Sequence, residues 1–151
     1  MVADAVIQAS PSHSASWLAG PPFQPLGLNL HPNRRAAVAN FWLRAALAEH
    51  ASVASFARAS LELMTVAAPA ALLKDYHSAA LDEVNHATLC FSAAVAFGAE
   101  ELSPGPLPAA PLRQASLDAI ATNTFKEGCV VETITAVEAA EAIAIFIAEE
   151  L

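Results

Sequence analysis

Nine of the ten prolines in this 151-residue chain fall into two clusters, Pro11 to Pro32 and Pro104 to Pro111, and the tenth, Pro69, stands alone. Proline lacks a backbone donor and clashes with the preceding helical turn, so the clusters mark where helices cannot run. The stretches between them are rich in Ala and poor in Gly and aromatic residues. That composition suits closely packed helices and argues against a sheet. The pattern predicts an all-α domain over residues 34–151 with three long helices, at about 34–66, 69–97 and 114–146. Before it lies a Pro-rich arm, residues 1–33, expected to be disordered or loosely draped. The length is that of one domain, sufficient to bury a real core if most of it is ordered.

The formal net charge of −8 leaves no basic footprint for nucleic acid or anionic membrane surfaces. No helix-compatible stretch reaches eighteen uncharged residues, so a spanning helix is not expected. The arm carries Asp4 near its start, where a secretion signal would be basic, and its prolines interrupt any compact apolar centre. The default expectation is a cytoplasmic protein.

Within this frame the chemistry gathers at Glu83-Val84-Asn85-His86. A Glu and a His three residues apart project from one helical face, and in helical bundles that spacing lets a carboxylate and an imidazole hold one metal ion. The turn expected at Ala67-Ala68-Pro69 adds a second constraint. Glu49 precedes it by about as many residues as His86 follows it, so an antiparallel hairpin sets the two level. The inward stripe of the first helix reads Trp42, Ala45 or Ala46, Glu49, Val53, Phe56, Ser60 and Leu63, with Asn33 as the expected cap. That of the second reads Leu72, Tyr76, Ala79, Glu83, His86, Cys90, Ala94 and Phe97, opening at Pro69 and closing at Gly98. The expectation is that Glu49, Glu83 and His86 converge at one depth in the interior.

Residues 98–113 must be extended and non-helical. In polyproline geometry, at about 3.1 Å per residue, they reach roughly 40 to 50 Å, enough to run the length of a helix of about 28 residues. A crossover is therefore expected that makes the third helix parallel to the second. Two acids then compete for the level of Glu83 and His86. Glu132 fits the depth, whereas Glu127 belongs to the more apolar stripe of Ile120, Thr124, Val131 and Ile134. Periodicity mildly favours Glu127 and depth favours Glu132.

Plainer readings stand beside these. An isolated Glu-x-x-His pair is more often a hydrogen-bonded polar pair at the core border than a metal site, but a layer of several buried carboxylates is costly without a cation. Cys90 and Cys129 each lie one turn from a candidate ligand, where a redox pair or soft ligand is conceivable and inert thiols are commoner. Tyr76 is two turns from Glu83 on the same face, a core aromatic or a one-electron donor. His50 and His77 flank the stripes and read as surface or border residues. Carboxylate-rich ligation with few imidazoles suits iron or manganese.

The segments Glu49-His50-Ala51-Ser52-Val53-Ala54-Ser55-Phe56, Leu81-Asp82-Glu83-Val84-Asn85-His86-Ala87 and Glu127-Gly128-Cys129-Val130-Val131-Glu132-Thr133 resemble the ferritin-like superfamily of di-iron carboxylate proteins. The likeness is greatest to a little-characterised bacterial branch, and with its helices covers most of residues 36 to 141. It implies a ferritin-like bundle in which Glu49, Glu83 and His86 bind one metal and Glu132 is the first ligand of a second set. It also implies two irons, or manganese, per completed site, and chemistry on ferrous iron with dioxygen or peroxide in storage, detoxification or substrate oxidation. The chain departs from the pattern in having no His after His86, so a fourth helix with a second Glu-x-x-His is absent or truncated. His13 or His31 would have to reach inward to substitute. Three amphipathic helices leave an apolar groove, for which self-association or a partner helix is the physical expectation. The competing reading is a non-enzymatic interaction or relic scaffold with an incomplete metal site and no cofactor.

Overall fold

The computed structural model describes residues 7–20, 30–108 and 116–149, with side chains to Glu141. Helix α1 spans Pro32–Thr65, α2 Ala70–Ala96, α3 Leu117–Thr124 and α4 Glu132–Glu149, and a π-helical segment, Phe125–Val131, joins the last two into one rod. Two three-residue strands, β1 (Pro11–His13) and β2 (Leu102–Pro104), complete the described elements. The chain is thus mostly helical, as its composition requires. No helix among the described residues is long and apolar enough to cross a membrane.

Helix ends follow local chemistry. At the start of α1, Pro32 occupies the first turn, and His31 rather than the expected Asn33 is the cap, its Nδ1 accepting from the Asn33 backbone N–H at 3.4 Å. Proline suits the first helical position, which moves the cap one residue ahead of it. The α1 end and the α2 end share one hydrogen-bond pattern. Ala68 N–H donates to Leu63 C=O and Ala67 N–H to Met64 C=O, while Ala99 N–H donates to Ala94 C=O and Gly98 N–H to Val95 C=O. Both are Schellman closures needing a left-handed residue. Gly98 supplies it freely at φ +99°, whereas Ala67 holds φ +54° with a side chain. Pro69 then caps α2, one residue before its first turn. The third helix begins at Leu117, capped by Ser116 Oγ. The expected start at Gln114 lies outside the described residues.

The order of contacts fixes the helix directions. Phe56 of α1 meets Tyr76 of α2 edge-on, and Glu49 meets His86 further along, so α1 and α2 are antiparallel. Tyr76 pairs with Thr124, while Glu132, eight residues on, senses the charge of His86, ten residues beyond Tyr76. The third rod therefore runs parallel to α2, the sense expected of a crossover. Residues 98–108 are non-helical and include β2.

The arm departs from a loose drape over residues 11–19. β1 pairs antiparallel with β2, Pro11 opposite Pro104 and His13 opposite Leu102. Ser103 Oγ donates to Ser14 C=O at 2.8 Å, and Ala19 N–H donates to Ser92 Oγ at 2.7 Å. Trp17 and Leu18 pack with Trp42, Leu43, Leu47 and Leu102 against the buried cluster of Ala46, Cys90 and Phe91. A buried apolar cluster thus lies under the arm. The third rod is far less covered: Ile120 is buried, but Phe125, Val130, Val131, Ile134 and Val137 are exposed.

Candidate metal centre and cleft

Helix α1 and α2 place Glu49, Glu83 and His86 together. His86 Nδ1 lies 3.6 Å from Glu49 Oε2 and 3.5 Å from Glu83 Oε2, and one ligand atom from each residue falls within 4.8 Å of the others. At metal–ligand bonds of about 2.1 Å, opposite positions around an ion are about 4.2 Å apart, so the triad already lies near ligand dimensions. The convergence arises because antiparallel hairpin register and the i, i+3 spacing both act across one turn. The expected uniform burial does not hold. The Glu83 side chain is 9% exposed and that of Glu49 22%, but that of His86 is 55% exposed. His86 lies at the rim because no described element covers that side of α2.

The electrostatics of this cluster are those of carboxylates short of a cation. Burial, then a hydrogen bond shared with Glu49, then the charges of Glu49, Glu132 and Asp82 push Glu83 up to about 8. Near neutrality Glu83 therefore holds a proton. Its Oε2 is buried and no hydrogen bond reaches it. An orphaned, buried carboxylate oxygen at the meeting point of three potential ligands is what a bound cation would satisfy. Glu132 is also raised, by partial burial and by the charge of Glu49, against the opposing pull of His86. Cys90, buried behind Glu49, is pushed up to about 12, first by burial and then by that carboxylate, which makes its thiol inert. Cys129 is exposed, and both cysteines are free.

The third rod answers the competition between its two acids in a way α-periodicity does not anticipate. On an α-helix, residues five apart diverge by about 140°, so only one of Glu127 and Glu132 would face inward. The intervening residues are π-helical, and i→i+5 bonding sets residues five apart nearly one above the other. Both carboxylates consequently line one cleft. Glu132 is the acid that interacts with Glu49 and Glu83. Glu127 is engaged elsewhere: Arg58 Nη2 donates to its two oxygens at 2.9 and 2.7 Å.

That cleft, of about 190 Å3, runs between α1 and the third rod from Glu49 and Glu132 to Glu62 and Ile120, over Phe56, Ala59, Tyr76 and Val131. Its lining is mostly apolar. Tyr76 closes one wall by pairing its hydroxyl with Thr124 Oγ1 at 3.0 Å. Sequence reasoning did not single out Arg58 or Glu62. The signal was available, because they are the only charged side chains between Glu49 and Lys74 and stand at i, i+4.

The remaining histidines are placed as follows. His31 caps α1, and His13 lies 3.4 Å from Glu100 at the exposed strand pair, so neither reaches the cluster. His50 is not simply a border residue. Trp17 packs edge-on against it with ring centroids 5.1 Å apart, its Nδ1 is buried without a partner, and burial lowers its pKa. His77 is exposed. Compared with known proteins, the chain matches no family model, no curated protein and no solved structure.

Proposed function

We propose that this chain is a ferritin-like metal-binding protein whose centre is Glu49, Glu83 and His86, with Glu132 as the acid that extends it. The reading is carried by one observation: a buried Glu83 oxygen that no hydrogen bond reaches, 3.5 Å from His86 Nδ1 and beside Glu49. The donor set of three carboxylates and one imidazole suits iron or manganese over a thiolate-preferring ion. His86 would bind through Nδ1, the nitrogen that already faces both carboxylates. Glu83 must release its proton for the site to fill. Bound iron would supply redox chemistry with dioxygen or peroxide, in storage, detoxification or oxidation of a substrate in the adjoining cleft. A second copy or a partner helix on the exposed third rod would add ligands on the Glu132 side. The test is metal content per chain after anaerobic loading with ferrous or manganous ion, with molar mass determined on the same sample. Bound metal that disappears in Glu83→Ala supports the reading, and equal metal in both proteins sinks it.

A second reading has its own support. Phe125, Val130, Val131, Ile134 and Val137 form an exposed apolar run along the third rod, as on a helical scaffold that binds a partner or itself. Under that reading the chain binds no metal, and Glu83→Ala leaves its association state unchanged.

A further inference from the structure

The far end of the cleft, away from the cluster of Glu49, Glu83 and His86, carries a carboxylate whose one ion pair among the described residues is long. Glu62 is 7% exposed and lines the cleft. No hydrogen bond reaches its carboxylate among the described residues. Its nearest described cation, Arg58 Nε, is 3.8 Å away, and the guanidinium is committed through Nη2 to both oxygens of Glu127. One cation thus serves two carboxylates, and the buried one is the worse served. A buried carboxylate in that position is costly unless a donor cation reaches it.

The walls leading from Glu62 are apolar, formed by Phe56, Ala59, Ile120 and Val131. From Glu62 to Glu49 along α1 is thirteen residues, roughly 20 Å, so the cleft that both residues line is elongated. An enclosed apolar cavity of about 150 Å3 holds a six-carbon ring. This cleft is of similar size but open along one side, so it accommodates a short aliphatic group, and its length favours a chain over a ring. Its charged lining comprises Glu49, Glu62, Glu127 and Glu132 against Arg58 alone, which repels an anionic head group.

We infer that the cleft binds a straight-chain aliphatic amine, with the ammonium on Glu62 and the hydrocarbon tail lying over Phe56, Ile120 and Val131 toward the carboxylate cluster. This goes beyond the metal reading, since the ammonium site is at the opposite end of the cleft and is formed without an ion. Measured on metal-free protein, the inference stands or falls separately from metal binding.

The test uses n-heptylamine, 1-heptanol and heptanoate as probes, with affinities from calorimetry and ligand-observed NMR. The amine is expected to bind roughly 10- to 100-fold more tightly than the alcohol, the range of a charge-assisted hydrogen bond, and heptanoate most weakly. Glu62→Gln is expected to bring the amine down to the level of the alcohol, and Glu49→Gln to leave the preference in place. Ala59→Phe, which narrows the cleft, should weaken amine and alcohol together, whereas Ala57→Phe on the exposed side of α1 should weaken neither. Thermal melts establish that each variant is folded. The inference is overturned if heptanoate or heptanol binds as well as the amine, if no probe binds, or if Glu62→Gln retains the preference.

Discussion

The two ends of the cleft pose one electrostatic problem and answer it differently. Toward α3, Glu62 and Glu127 share Arg58, and the more accessible acid is held by two hydrogen bonds of 2.7 and 2.9 Å. Toward the rim, Glu49, Glu83 and Glu132 have no Lys or Arg among the described side chains lining the cleft beside them, only the exposed imidazole of His86. The consequence is visible in Glu83, pushed up to about 8, and in its orphaned oxygen. Carboxylates supplied with a cation by the chain settle as a structural pair, whereas carboxylates left without one retain a proton or take a cation from outside.

That contrast is broken most severely at Glu83. Glu83→Ala is expected to lower metal affinity by at least about 100-fold, since it removes both a proposed ligand and the acid that joins Glu49 to His86. Metal titrations of the two proteins check this. If affinity is retained, the two ends are equivalent and the rim cluster is merely polar.

Glu83 also gives the contrast a sign with pH. Its pKa stands above that of the unfolded chain, so without metal the folded protein binds a proton that the unfolded chain releases between pH 4.5 and about 8. The stability this group contributes is complete below about 4.5 and is lost as pH rises through about 8. Under the proposed function metal binding displaces the proton, so affinity should rise with pH over the same window, by at most about tenfold per unit. Thermal melts of metal-free protein from pH 5 to 9 should therefore decline in midpoint, and Glu83→Gln should flatten the decline. A wild-type midpoint that rises over this range contradicts the assignment.

At the other end, Arg58→Met is expected to destabilise the protein by about 1–3 kcal/mol, because it strands Glu127 and leaves buried Glu62 with no cation nearby. Metal affinity at the rim should change little. Denaturant unfolding and metal titration of that variant separate the two ends. The smallest effect is expected midway, where Tyr76→Phe removes the Thr124 bond at a cost of about 0.5–1.5 kcal/mol and leaves both ends intact.

What the sequence disclosed followed the same physical division. Glu49, Glu83 and His86 were legible because hairpin register and i, i+3 spacing are properties of α-helices, and α1 and α2 are regular. The third rod was less so. α-periodicity made Glu127 and Glu132 exclusive alternatives, and the π-helical segment between them removed the exclusion. His86 was expected inside because it lies on the apolar stripe, but a stripe does not say how many neighbours cover it. The arm was unreadable for another reason. Pro11-Ser12-His13 has little intrinsic strand preference, and its order comes from pairing with Leu102-Ser103-Pro104, some ninety residues away.

The central claim is that the rim carboxylates lack a cation and bind one. Calorimetric titration of manganous ion into wild-type and Glu83→Gln protein at pH 7, in two buffers of different ionisation enthalpy, tests it most directly. The account predicts saturable binding to wild type with release of a proton, and loss of both binding and proton release in Glu83→Gln. Identical isotherms for the two proteins, or no binding to either, would contradict it.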